Sequence, residues 1–221
     1  MILMYIRELL ECMDLENSVD HALVNTAYCN NAARKFLEAN DIKYVTVPTG
    51  VKNATPVVSQ YVIGANDEPN GHGTVCFKPD WLDRALDGKE HTIHAKKLRA
   101  LLSISNIYVG DAICNLLLIE AILKAKNYSI DMFSTLYKEN PNKMYKAVVA
   151  DRTKFRTVWD ETKLVEPQML QDFIELFTKD FKNGRAFVRP SGTEDILRLY
   201  VEANTPQDVE KLAHMILEEI E

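Results

Sequence analysis

Ala186-Phe187-Val188-Arg189-Pro190-Ser191-Gly192-Thr193-Glu194-Asp195-Ile196-Leu197-Arg198-Leu199-Tyr200-Val201 runs from one strand-like stretch to another through a polar bend. The bend carries the donors that suit a phosphate group. Arginine offers a planar fork that meets phosphate oxygens two at a time. Ser191 and Thr193 add hydroxyls, and Gly192 lets backbone amides turn toward an anion. Pro190 stiffens the entry, so less entropy is lost on docking. A P-loop opens a helix, whereas this bend joins two strands. Strand alternation puts Leu197, Leu199, Val201 and Ala203 on one face and Ile196, Arg198, Tyr200 and Glu202 on the other. Arg198 therefore points away from the apolar face and can join Arg189 around one phosphate. The same spacing also fits a polar turn with two solvated arginines. Glu194 and Asp195 suit an anion site only if they point away or hold the arginines.

Outward from the bend the pattern is α+β. A strand over Tyr145 to Val149 precedes a helix over Pro167 to Phe181, with Leu170, Phe173, Ile174 and Phe177 along one stripe. After the second strand, Thr205-Pro206-Gln207-Asp208 opens a last helix in capping-box fashion. Its apolar positions are Val209, Leu212, Ala213, Ile216 and Ile220. Two helices on one face of a small antiparallel sheet would bury both stripes. A break falls near Glu139-Asn140-Pro141-Asn142.

Upstream of the break, helices and strands alternate, which predicts an α/β layer with a mixed sheet. Ile6, Leu9, Leu10 and Met13 mark an N-terminal helix. Ala22-Leu23-Val24 and Tyr44-Val45-Thr46-Val47 read as strands around a helix over Ala32 to Ala39. Val57 to Ile63 reads as a further strand, and Thr74 to Phe77 as another. Leu86 to His94 reads as a polar, mobile stretch. Asp111 can cap a long helix from Ala112 to about Lys126.

Composition bounds the partners. At 221 residues with 47% hydrophobic and 26% charged residues, the chain suits a globular core. A net charge of −6 argues against broad nucleic-acid or anionic-membrane surfaces, so an anion site must be a local patch. Cys12, Cys29, Cys76 and Cys114 are scattered without a CxxC pair, which predicts buried free thiols in a reducing compartment. The apolar run around Leu116-Leu117-Leu118-Ile119 is too short for a bilayer. Charges follow Met1-Ile2-Leu3-Met4 where a signal peptide would continue apolar. A cytoplasmic protein is expected. His91 and His94 stand three apart with no third ligand in sight, as exposed polar residues do.

Glu68-Pro69-Asn70-Gly71-His72-Gly73 forms a second constellation. A carboxylate, an amide and an imidazole on a glycine-flanked loop can satisfy several sugar hydroxyls at once. Alone it also fits an ordinary polar turn. Together with the Arg189 bend it resembles the α-D-phosphohexomutase superfamily, which pairs such a sugar loop with an Arg-Pro-Ser-Gly-Thr-Glu phosphate loop. Phe187 to Asp195 and the Asn70-Gly71-His72-Gly73 string are similar to its phosphoacetylglucosamine mutase branch. Thr49-Gly50-Val51-Lys52, Tyr108-Val109-Gly110-Asp111-Ala112 and Val149-Ala150-Asp151-Arg152 resemble further segments of that branch. Pro69 stands where the branch has Ala, and Asn66-Asp67 make the approach more polar.

The resemblance implies an α/β sugar-binding domain over residues 18–140 and a smaller α+β phosphate-binding domain over 141–221. Residues 1–17 would close a preceding domain. It implies a phosphate moved between O6 and O1 of N-acetylglucosamine through a phosphoserine and a bisphosphate intermediate, feeding UDP-N-acetylglucosamine synthesis. Glu68, Asn70, Gly71 and His72 would hold the sugar. Arg189, Ser191, Gly192, Thr193 and Arg198 would hold the phosphate that is not being transferred. His72 is the candidate proton shuttle, with a plain hydrogen-bond donor as the equal alternative. Lys52 would lend charge near the transferred phosphate. The chain contains neither a Ser-His-Asn type loop for the phosphoserine nor an Asp-x-Asp-x-Asp run for magnesium. The resemblance puts both in two preceding domains. The expected partners are a small sugar phosphate and those domains, with no nucleic acid and no membrane. A sugar-phosphate-binding protein without catalysis, or another hexose or hexosamine phosphomutase, stays open, though Asn70 speaks against the latter.

Overall fold

The computed structural model describes residues 1–68, 72–107 and 109–220, Ser18 by its backbone alone. Pro69, Asn70, Gly71 and Tyr108 of the motifs above lie outside the described residues. The chain packs as two units, residues 1–26 with 34–137, and residues 27–33 with 138–221.

The first unit begins with α1 (Ile2–Glu11), followed by β1 (His21–Thr26), α2 (Asn31–Ala39), β2 (Lys43–Val47), α3 (Val51–Val58), β3 (Ile63–Asp67) and β4 (Gly73–Phe77). Then come α4 (Pro79–Leu86), α5 (Ile93–Ile104), α6 (Ala112–Lys126) and α7 (Ile130–Ser134). The sheet order is β2-β1-β3-β4, with β1 parallel to both β2 and β3, and β4 antiparallel to β3. Parallel neighbours need a crossover, which α2 and α3 supply.

A sheet covered on both sides buries alternate residues in opposite directions. Ala22 and Val24 pack with Ala54 and Val58 of α3, while Leu23, Ile63 and Ala65 belong to the core formed with α1, α5 and α6. Gly64 is required where α3 meets β3, because a Cβ there would stand 2.5 Å from the Val58 carbonyl oxygen. Leu3, Ile6, Leu9 and Leu10 put α1 into the main core of this unit.

Three expectations need correction. Val57 to Ile63 is not a strand: Val57 and Val58 end α3, and the strand starts at Ile63. Burial of Ala54 and Val58 overrides the weak helix preference of a valine-rich segment containing Pro56. The polar stretch read over Leu86 to His94 is shorter, since α4 includes Leu86 and Thr92 already caps α5 by accepting the Ala95 amide. The cysteines are free, but they are not buried: Cys12 is exposed and the other three are half-buried.

The second unit contains β5 (Asn142–Val148), β6 (Arg156–Thr157), β7 (Leu164–Glu166), α8 (Gln168–Thr178), β8 (Arg185–Pro190), β9 (Ile196–Glu202) and α9 (Pro206–Glu218). β9 lies between β5 and β8, antiparallel to both. Leu170 and Ile174 of α8 and Val209, Leu212, Ala213 and Ile216 of α9 share one core with Val188, Leu197, Leu199 and Val201. Thr205 accepts the Asp208 amide at 3.1 Å and starts α9. Phe187 and Tyr200, on the other side of the strands, are buried with Ala27 and Tyr28. Among the described residues no helix is long and apolar enough to cross a membrane.

Candidate functional site

β8 and β9 pair so that Arg189 stands directly opposite Arg198. Directly opposed residues of an antiparallel pair have Cβ atoms about 5 Å apart, and like charges there repel. An anion between two guanidinium groups reverses the sign of that interaction. Both arginines are half-buried. Among the described residues, the Arg198 side chain makes no hydrogen bond or ion pair. Arg189 donates from Nε to the Tyr28 hydroxyl at 2.8 Å and lies 3.6 Å from the Glu161 carboxylate.

The five residues between the strands close on themselves. Ser191 donates its amide to the Ile196 carbonyl at 2.9 Å and is 4% exposed. Its Oγ accepts the amides of Thr193 and Glu194 in long contacts of 3.4 Å. Those amides therefore turn toward Ser191 rather than standing open as a nest, and the serine proton is the group it can offer a ligand. Gly192 is not in the left-handed region, and nothing lies within 4 Å of where its Cβ would stand. Its value is unobstructed approach to the backbone. Thr193, Glu194 and Asp195 are exposed.

The acidic residues of the bend do not hold the arginines. Asp195 accepts the Arg152 amide at 3.3 Å through its side chain and the Val149 amide at 3.0 Å through its carbonyl. The Arg152 guanidinium donates to the Gly192 carbonyl at 3.2 Å. Arg152, Tyr28 and Glu161 thus brace the bend, and no role at this site was read for them in the sequence. Arg152 sits in a quoted motif. Tyr28 and Glu161 carry no local signal, because their meeting with Arg189 depends on tertiary packing.

In the first unit, the Glu68 amide donates to the His72 carbonyl at 2.8 Å, which closes the β3–β4 connection. Glu68 is half-buried and His72 exposed. Asn70 and Gly71 lie outside the described residues. Gly73 is needed on packing grounds, since a Cβ would stand 2.4 Å from the Asn66 carbonyl. Of the polar Asn66-Asp67 pair, Asn66 is buried and Asp67 is exposed. Asn66 accepts the Thr74 amide at 3.1 Å, and Asp67 accepts from Asn25 at 2.9 Å. Asp67 remains open to solvent, and desolvation by its neighbours raises its carboxyl from the usual value. Lys52 is exposed in the first turn of α3, which follows Gly50 at φ +117°. Among the described residues no group of three or more His, Cys, Asp or Glu side chains could hold a metal ion.

The model for phosphoacetylglucosamine mutase AMG1, domain III, matches residues 1–128, and that for the phosphoglucomutase/phosphomannomutase C-terminal domain matches residues 141–219. The crystal structure of an N-acetylglucosamine-phosphate mutase in its substrate complex has a TM-score of 0.92 at 34% identity, covering 100% of this chain and 42% of that one. It is a member of the α-D-phosphohexomutase superfamily, and that is the class the fold and the paired loops define.

The Arabidopsis thaliana phosphoacetylglucosamine mutase is 37% identical over 205 residues, 88% of this chain and 37% of that protein. The Aspergillus fumigatus N-acetylphosphoglucosamine mutase, solved in complex with GlcNAc-6P and magnesium, has a TM-score of 0.91 at 29% identity over 98% of this chain and 44% of that one. The chain belongs to the phosphoacetylglucosamine mutase family. It spans about 40% of the length of the curated relatives it matches.

Proposed function

We propose that this chain supplies the sugar and phosphate grips of a phosphoacetylglucosamine mutase, which interconverts N-acetylglucosamine 6-phosphate and 1-phosphate. The observation that carries this reading is the opposed pair Arg189 and Arg198 beside the bend from Ser191 to Thr193. Two cations opposed across one strand pair make a seat for a dianion, and they hold the phosphate that is not being transferred. Glu68, Asn70, Gly71 and His72 take the sugar hydroxyls, in the unit of residues 1–26 and 34–137. Residues 138–221, with 27–33, form the phosphate-binding unit. His72 and Lys52 serve the transferred phosphate, the first as proton carrier and the second as charge.

The crystallised Aspergillus fumigatus relative binds magnesium. Among the described residues here, no cluster of side chains fits such an ion. The grip needs no rearrangement when the sugar reverses, because either phosphate of a bisphosphate presents the same oxygens.

Calorimetry of the 221-residue chain with N-acetylglucosamine 6-phosphate tests the reading. Loss of a charged hydrogen bond costs about 1.5–3 kcal/mol, so Arg189→Ala should raise Kd by roughly ten- to a hundredfold. An unchanged Kd removes Arg189 from the site. The same chain on its own should bind the sugar phosphate without converting it, and measurable 1-phosphate would contradict the division of labour.

A further inference from the structure

Arg189 is one of the two cations of the phosphate grip, yet one edge of its guanidinium is already committed. Nε donates to the Tyr28 hydroxyl at 2.8 Å, and the guanidinium carbon lies 5.4 Å from the centre of the Tyr28 ring. Glu161 lies 3.6 Å away on the same Nε side. Nη1 makes a long contact of 3.4 Å with the Pro190 carbonyl. An arginine can meet a phosphate through Nε and one terminal nitrogen, or through both terminal nitrogens. With Nε taken, the terminal pair is what remains for the anion.

Tyr28 is itself fixed. Its ring packs against Phe187 at 5.2 Å and against Tyr200 at 5.9 Å between centroids. Arg185 Nη2 donates to the carbonyls of Ala27 and Cys29, at 2.8 and 2.9 Å, and so clamps the backbone on both sides of Tyr28. Asn30 exchanges hydrogen bonds with the backbone of Asn140, at 2.9 and 3.2 Å. A residue held by its ring, by its flanking carbonyls and by a neighbouring clasp can impose a direction on what it bonds to. Arg198, across the strand pair, has no such brace among the described residues.

We propose that Tyr28 is the positioning residue of the phosphate grip: by taking the Nε–H of Arg189, it aims both terminal nitrogens at the anion. This rests on the phosphate-binding reading of the Arg189 bend. The grip then has one preset and one adaptable arm. Presetting reduces what binding loses in side-chain freedom, so the hydroxyl acts on affinity without touching the ligand.

Tyr28→Phe removes the hydroxyl and keeps the ring, so packing is retained. Calorimetry with N-acetylglucosamine 6-phosphate should show Kd rising about three- to tenfold, the worth of one net hydrogen bond. In an Arg189→Ala background, Tyr28→Phe should change Kd no further, because its effect passes through that arginine. If Arg189→Ala weakens binding while Tyr28→Phe does not, this inference fails and the phosphate seat stands. If Tyr28→Phe still weakens binding without Arg189, the tyrosine acts by another route and the inference again fails. If Arg189→Ala has no effect, the phosphate reading itself falls. A second measurement holds even where binding is weak. In the 15N-labelled chain, the Arg189 Nε–H should exchange with water more slowly than that of Arg198, and Tyr28→Phe should abolish the difference. Equal exchange in the unaltered chain overturns the proposal.

Discussion

Glu202 is 0% exposed at the end of β9, and a buried carboxylate is costly unless every oxygen is bonded. Both of its oxygens accept the Asn31 amide at 3.1 Å, one accepts the Tyr200 hydroxyl at 2.8 Å, and Arg185 Nε stands 3.6 Å away. Asn31 opens α2, so the carboxylate also faces the positive end of a helix. Burial first, and the Glu202 charge next, push the Tyr200 hydroxyl far above its usual value, so it stays a donor. Glu202→Ala strips Arg185 of its counter-charge in a largely buried site. The expected loss is about 3 kcal/mol, read from urea unfolding of the second unit. Glu202→Gln, which keeps an acceptor for Tyr200, should lose less. Equal stability of Glu202→Ala and the unaltered chain would mean that the network contributes nothing net. The alternation in β9 assigns Arg198, Tyr200 and Glu202 to one face. It gives no hint that Tyr200 and Glu202 are covered while Arg198 is left half-open.

Elements were legible where local chemistry and packing agree. The bend between β8 and β9, the stripe of α9 and the cap of α6 all follow from residues within a few positions of one another. α3 failed because Val57 and Val58 favour a strand when read alone, and packing against Ala22 and Val24 of β1 and close approach to Gly64 of β3 hold them helical. α5 carries the same helical spacing as α1 in its buried Ala95, Leu98, Leu101 and Leu102, and this signal was legible though not read. The cap of α6 allows a test by pH. Asp111 accepts the amides of Cys114 and Ile113, at 3.1 and 2.9 Å. Chiefly the Cys114 amide holds its carboxyl below the ordinary value of 3.8. A carboxyl depressed in the folded state adds stability above its unfolded value and loses it as pH falls through the folded one. Asp111→Ala should therefore lower the unfolding midpoint at pH 7. Its deficit should shrink once pH drops below 3.8. A deficit that stays constant from pH 7 to pH 3 would assign the loss to something other than the charged cap.

At the scale of the whole molecule, the second unit is discontinuous in sequence. The family match over residues 141–219 and the polar break near Pro141 both suggest a unit that could be cut out there. Packing instead adds residues 27–33, which the chain contributes between β1 and most of α2. No periodicity marks this, because the segment's partners lie more than a hundred positions away. A fragment of residues 138–221 keeps the core between the strands, α8 and α9, which comes wholly from its own residues. It loses Tyr28 from Phe187 and Tyr200, the Asn31 amide from Glu202, and the Asn30 clasp on Asn140. Exposing an aromatic pair beside an unsatisfied carboxylate should weaken one side of the sheet and spare the other. Hydrogen exchange followed by mass spectrometry should thus show faster exchange in β8 and β9 of the fragment than in the full chain, with α9 little changed. The fragment should also brighten a hydrophobic dye and bind inorganic phosphate more weakly, since Arg189 loses its brace. Matching exchange in the two forms would show that residues 138–221 are self-sufficient and that the contributed segment is only draped over them.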